Sequence, residues 1–252
     1  MVSDPDRTAA TRSAGAPRPA GREEKAEWVR AAFDRIAPRY DLFNDLLSAG
    51  VHRRWRARAI RALAPADGER LLDLCAGTMD LARQISDRAP GSRVVAADFA
   101  LRMLASGRAK AAAAAGTVWP VAADALSLPF PDATFDGCTI GFGLRNLADY
   151  EDGLAEMRRV LVPGGRLVVL EFTTPPGKLF RQVYHAYFHH LLPRAGAVIS
   201  GDADASRYLP DSVARFPDAA ALAALLTRSG FRDVRYAWLT RGIAALHVGT
   251  RG

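Results

Sequence analysis

The chain predicts a doubly wound α/β domain with a mostly parallel sheet, and three features carry that prediction. Short apolar runs alternate with helix-length segments from residue 70 onward, as repeated βα units require. The first three runs lead into Asp73 to Gly77, Asp98 and Asp124, small or acidic positions where an open sheet forms its ligand crevice. The last two runs straddle Arg241-Gly242, which leaves no room for a crossover helix and closes the sheet as an antiparallel hairpin.

The elements follow in order. Residues 1–25 hold no Leu, Ile or Phe and are rich in Ala, Arg and Pro. They cannot offset their ordering entropy by burial, so they read as a flexible tail. Residues 26–252 then form one domain: a helical entry or lid over 26–64, a cofactor-binding core over 69–172, and a substrate-side insertion over 173–217. Trp28, Val29, Ala32, Phe33 and Ile36 repeat at helical spacing up to Pro38. Further helices are expected over 41–48 and 52–64. The core places strands at 70–75, 93–97, 118–122 and 135–142, with helices at 81–88, 101–115 and 150–161. A Pro163-Gly164-Gly165 turn launches a strand over 166–172. An aromatic-rich helix over 178–192, a helix over 218–229 and strands over 234–239 and 243–248 complete the chain.

Composition bounds the function. The 252 residues are 49% hydrophobic and 24% charged, with a net charge of +7, which suits a globular domain with a substantial core. The excess is mostly arginine, with no basic block or stripe of interleaved aromatics, so no nucleic-acid partner is expected. Arginine-rich composition and peripheral contact with an anionic membrane surface both account for it. No run reaches the roughly 18 apolar residues of a membrane helix, and no secretory signal opens the chain. A cytoplasmic protein is expected, with room for peripheral contact at the inner face of the membrane. Cys75 and Cys138 read as free thiols in a reducing compartment. A homodimer is compatible with the sequence.

The strand ends hold the chemistry. Gly77 allows close backbone approach and Thr78 offers a hydroxyl. Asp73, on the strand itself, either anchors the loop or faces the ammonium of an amino-acid-like ligand. Asp98 follows the second strand about 20 residues past the loop, where a carboxylate accepts both ribose hydroxyls of an adenosine; capping of the next helix is its structural alternative. Asp124 and the Ala125 amide after the third strand suit an adenine amino group and ring nitrogen. Asp80, in place of a phosphate cradle, turns the choice towards S-adenosylmethionine and away from a dinucleotide.

Longer signatures make the comparison specific: Phe33 to Asp41, Asn44-Asp45, Gly50 to Trp55, Leu128-Pro129-Phe130-Pro131-Asp132, Phe142-Gly143-Leu144-Arg145-Asn146, Leu170-Glu171-Phe172 and Gly242 to His247. In these the chain resembles the ubiquinone/menaquinone biosynthesis C-methyltransferases, from about Val29 to Val248. The resemblance implies S-adenosylmethionine at Thr78, Asp98, Asp124 and Ala125, and methyl transfer to a ring carbon of a reduced, lipid-like prenylated quinone. It departs from the family twice: Met79 stands where a glycine is usual, and Gly141 where a serine would give the cofactor a hydroxyl. A free phenol ionises near pKa ~10, so Arg145 is assigned phenolate stabilisation or water activation, with Asn146 orienting the ring; a salt bridge holding the loop is the structural alternative for Arg145. His52 is a candidate base or lid contact. His185 and His189 are spaced i,i+4 but lack a third ligand, so no metal is expected. A same-fold enzyme acting on a soluble aromatic metabolite and a non-catalytic cofactor-binding subunit remain open on the residues alone.

Overall fold

The computed structural model describes residues 21–177 and 203–252. Seven strands form one sheet in the order β3-β2-β1-β4-β5-β7-β6. β1 (Arg70–Leu74), β2 (Arg93–Asp98), β3 (Thr117–Ala122), β4 (Phe135–Gly141) and β5 (Leu161–Phe172) are parallel. β7 (Ala244–Arg251) runs antiparallel to both β5 and β6 (Phe231–Leu239). The chain winds outward from β1 to β3 and then resumes at β4 on the other side of β1. The connections leaving β1 and β4 therefore diverge, and a crevice opens above the strand tips.

Helices α1 (Arg22–Ile36), α2 (Tyr40–Ser48), α3 (Val51–Leu63), α4 (Asp80–Arg88) and α5 (Leu101–Ala112) precede β3; α6 (Tyr150–Val160) lies between β4 and β5. After β5 come α7 (Ala203–Arg215) and α8 (Ala219–Arg228). One core joins α3 and α4 to the sheet through Leu63, Ile85, Leu71 and Val168. The other joins α6 and α8 to the opposite face through Leu154, Leu226, Leu72 and Ile140. Strands covered on both faces have no polar face to present, which is why they read as continuous apolar runs. β3 is an edge strand, so Pro120 costs it no ladder hydrogen bond on the open side.

Three expected boundaries move. Residues 22–25, placed in the tail by composition, form the first turn of α1. Arg22 bonds Asp149 and Asp152, and Lys25 Nζ donates to the Leu147 carbonyl. The alanine run stops being helical after Ala112, because tertiary acceptors take its amides: Ala115 N–H donates to Asp87 (2.9 Å) and Gly116 N–H to Ser86 (3.0 Å). β5 begins at Leu161, ahead of the Pro-Gly-Gly turn, with a register break between Phe135 and Gly137. The aromatic segment over 178–192, with His185 and His189, lies outside the described residues.

Candidate active site

After β1 the backbone coils through left-handed conformations at Cys75 (φ 53°), Gly77 (φ 54°) and Met79 (φ 62°) before α4 begins. Asp73 sits beneath this loop, 1% exposed. Its Oδ1 accepts from the Thr139 hydroxyl (2.7 Å) and its Oδ2 from the Ala82 N–H (3.0 Å). Burial pushes its carboxyl up to about 7, against the pull of these hydrogen bonds. Of the two roles open to it, Asp73 takes the anchor: it ties the first turn of α4 to β1 and β4 and has no place in the crevice wall.

The crevice holds about 700 Å³ of empty space, open solvent at its mouth included. Asp98 lines it, accepting from Gly77 N–H and Ala100 N–H at 2.8 Å each. Burial raises its pKa. A carboxylate offers about four lone-pair sites, so two hydroxyls can still be accepted. Asp124 and Ala125 line the neighbouring strand tip, with Asp124 Oδ1 accepting from Leu126 N–H (2.9 Å). Gly77 brings backbone to the wall; a Cβ there would stand 3.2 Å from Met103 Cε. The described lining contains these two carboxylates and no lysine or arginine. That donor set fits a nucleoside carrying a sulfonium and an ammonium, and it opposes a pyrophosphate.

The sequence places an entry or lid over 26–64 without naming the residues that face the crevice. Val29, Phe33 and Tyr40 close over the crevice from α1 and α2, and burial raises the Tyr40 phenol. The cover is fastened through the cofactor loop. Thr78, 3% exposed, donates its hydroxyl to Asp41 on α2 (2.7 Å) and accepts from Lys110 on α5 (2.9 Å). Lys110 also pairs with Asp41 and Asp80, both at 2.7 Å, and Arg56 pairs with Asp80 (2.7 Å). Thr78 is thus a hub between loop and cover and stands outside the lining. Asp80 is neutralised by its two cations, so Asp98 and Asp124, not Asp80, disfavour phosphate.

On the acceptor side, Arg145 and Asn146 fall in a short 3-10 turn after β4. Asn146 lines the crevice; its Nδ2 donates to the Phe142 carbonyl and its Oδ1 accepts from the Tyr208 hydroxyl, each at 3.2 Å. Arg145 stands behind that wall, 7% exposed, with Nη1 on Glu171 Oε1 (2.7 Å) and its guanidinium over the Phe172 ring (5.4 Å). Its Nε is buried and finds no partner. Glu171 is raised by burial, opposed by Arg145. A lone acid inside the apolar run from Leu167 to Phe172 was the signal that could have revealed it. His52, a candidate base or lid contact, stands outside the crevice lining and meets α2 of the cover: its Nδ1 is 2.7 Å from Ser48 Oγ and its Nε2 3.2 Å from Asp45. Burial lowers its pKa. It pins α2 to α3 because the tight turn at Gly50 folds the two helices together.

The sheet order and helix placement recur in solved structures: the [4+2]-cyclase SpnF (TM-score 0.66, 15% identity, covering 94% of this chain and 98% of that one), and a SAM-dependent methyltransferase from Thermotoga maritima (TM-score 0.60, 17% identity, 89% and 100%). One is a cyclase and the other a methyltransferase, so this likeness speaks to fold alone. The family model of the ubiE/COQ5 methyltransferases, by contrast, matches residues 21–251. The chain belongs to that family. It is 55% identical to a demethylmenaquinone methyltransferase of Thermus thermophilus over 87% of this chain and 99% of the relative. It is 45% identical to a ubiquinone/menaquinone biosynthesis C-methyltransferase of Paracoccus denitrificans over 90% and 92%.

Both departures from the ubiE/COQ5 pattern have a structural answer. Met79 adopts the left-handed backbone that a glycine would take there, and its side chain is fully buried away from the crevice. Its Cε occupies space opposite Gly107, where a Cβ would stand 2.8 Å from it and 2.7 Å from the Thr78 carbonyl. Gly141 lines the crevice, and Leu81 Cδ1 lies 2.5 Å from where its Cβ would be. Leucine thereby takes the room that a serine side chain would need.

Proposed function

We propose that this family member methylates a ring carbon of a reduced prenylated quinone of the demethylmenaquinol type, using S-adenosylmethionine. The observation that carries the cofactor is a crevice with carboxylates at two adjacent strand tips and no basic side chain in its described lining. The names of the relatives, aligned over nearly their whole length, support the acceptor class.

Asp98 would hold the ribose hydroxyls, Asp124 and Ala125 the adenine edge, and Gly77 the close backbone approach. When bound, S-adenosylmethionine supplies an electrophilic methyl on a sulfonium. The α1–α2 cover excludes water from that methyl and fixes the approach of the ring, the larger share of the rate. The acceptor carbon becomes nucleophilic when a ring hydroxyl ionises. Asn146 meets the ring at the wall, and Arg145 behind it keeps its charge throughout. From behind the wall its guanidinium, held by Glu171, would favour the ionised ring hydroxyl by charge and without contact.

The test is an incubation of the purified protein with methyl-labelled S-adenosylmethionine and detergent-solubilised demethylmenaquinol, with mass spectrometry of the extract. One added methyl on the ring is expected. Cofactor binding without methylated quinol would overturn the acceptor, and absence of cofactor binding would overturn the whole reading.

A further inference from the structure

Away from the crevice, the sheet has a face that no described helix covers. On the α3 side, α3 packs over β4, β5 and β7 and stops short of β6. Between α3 and β6 runs a groove of about 820 Å³ including its open mouth. Its floor is apolar, with Ala62, Ala237, Leu246 and Val248, and its rim carries Arg58 and Arg61 from α3 and Arg235 from β6. Positions 58 and 61 share one helical stripe with Arg54, whereas Arg53 and Arg56 point to Asp45 and Asp80 and are paired. The three rim guanidiniums are exposed and form no ion pair with any described residue. Around the strand edge, on the opposite face of β6, Tyr236 and Trp238 are 37% and 51% exposed, with their rings in edge contact.

We infer that the α3–β6 groove and the β6 edge dock the protein on an anionic phospholipid bilayer. The guanidiniums would hold headgroup phosphates, and Trp238 would sit at the headgroup boundary. Charge complementarity selects this occupant: unpaired arginines flank an apolar floor that no soluble anion would use, and Arg forks suit phosphate. Amphipathic aromatics beside them belong at a water–lipid boundary. The inference deepens the proposed function, because a prenylated acceptor is dissolved in such a bilayer, but its test involves no methyl transfer.

Full-length protein is sedimented with phosphatidylcholine vesicles and with vesicles containing phosphatidylglycerol. Retention on the anionic vesicles alone is expected, lost at about 1 M salt where screening acts over about 3 Å. The triple variant Arg58→Ala/Arg61→Ala/Arg235→Ala should bind on the order of 100-fold more weakly, and Trp238→Ala should weaken binding further. A charge-matched control, Arg88→Ala/Arg93→Ala/Arg108→Ala, removes the same charge from other exposed positions and should bind like the parent. Equal losses in both triples would reduce the effect to net charge and overturn the site, as would failure of the parent to bind anionic vesicles, the result expected if the groove takes a protein or a free anion. Thermal melts establish that each variant is folded. Methylation of detergent-solubilised acceptor is measured separately: its absence would count against the proposed function and leave the vesicle result standing.

Discussion

Asp98 illustrates how a single side chain can be both structure and site. Its oxygens already hold two backbone amides, so Asp98→Ala removes the ribose acceptor and also strands two buried donors, about 1–3 kcal/mol each. Calorimetry at a temperature where the variant is still folded should show S-adenosylmethionine affinity reduced ~100-fold or more; undiminished affinity would remove Asp98 from the site. Asp73 gives a pH signature. Its folded pKa, about 7, exceeds the ordinary carboxylate value of 3.8. The stabilisation tied to its proton is therefore complete below the ordinary value and is lost as pH rises through about 7. Asp73→Asn does not ionise, so its stability relative to the parent should improve between acid and neutral pH, by at most roughly 4 kcal/mol. Melts of both proteins across that range check this, and a pH-independent difference would refute it. Arg145 is tied to catalysis by position. Arg145→Gln should cut kcat while leaving cofactor affinity near the parent value, and should move the pH profile to the alkaline side because the acceptor hydroxyl loses its cation. Arg145→Lys should not restore it, since a lysine cannot reproduce the planar guanidinium that pairs with Glu171 and lies over the Phe172 ring. A normal turnover number in either variant would exclude the role.

At the level of elements, charge joins the apolar cluster of Phe33, Ala37, Tyr40 and Met103 in holding the cover. α2 reaches the cofactor loop through Asp41, Thr78 and Lys110. Without the lysine, Asp41 and Asp80 lose the cation they share. Lys110→Met should therefore release α2, speeding its amide hydrogen exchange by about tenfold, equivalent to ~1.4 kcal/mol, with little change in the strands. Unchanged exchange in α2 would show that packing of Phe33 and Tyr40 suffices. Arg159 does comparable work on the loop carrying the Leu-Pro-Phe-Pro-Asp motif: it donates to the Leu128 and Phe130 carbonyls and pairs with Asp132 and Glu156. A motif that reads as a family marker is thus a loop with its own internal clamp, set behind Asp124 and Ala125.

For the molecule as a whole, the alternation of apolar runs with helices specified the layers, because burial of both faces of a parallel strand demands them. The three strand-end acids were legible for the same reason: an acid next to an apolar run stands out against it. Their division of labour was not legible. Asp73, Asp98 and Asp124 look alike in a linear reading, yet Thr139 and Ala82, distant in sequence from one another, make the first an anchor. His52 and Arg145 carry the same lesson. Asp45 and Ser48, brought by the fold, occupy the ring of His52, while Glu171 holds the Arg145 guanidinium in place without removing it from its proposed role.

What the chain determined by itself is its periodicity, its turns and the placement of acids at strand tips, since these depend on residues within a few positions of one another. Tertiary structure alone decided which of those acids face open space, that Met79 and Gly141 are accommodated by Gly107 and Leu81, and that the α3-side face of β6 has no described helix over it beside a row of arginines. Each of those outcomes depends on contacts between segments far apart in the chain, where burial and hydrogen bonding are settled by packing and not by local pattern.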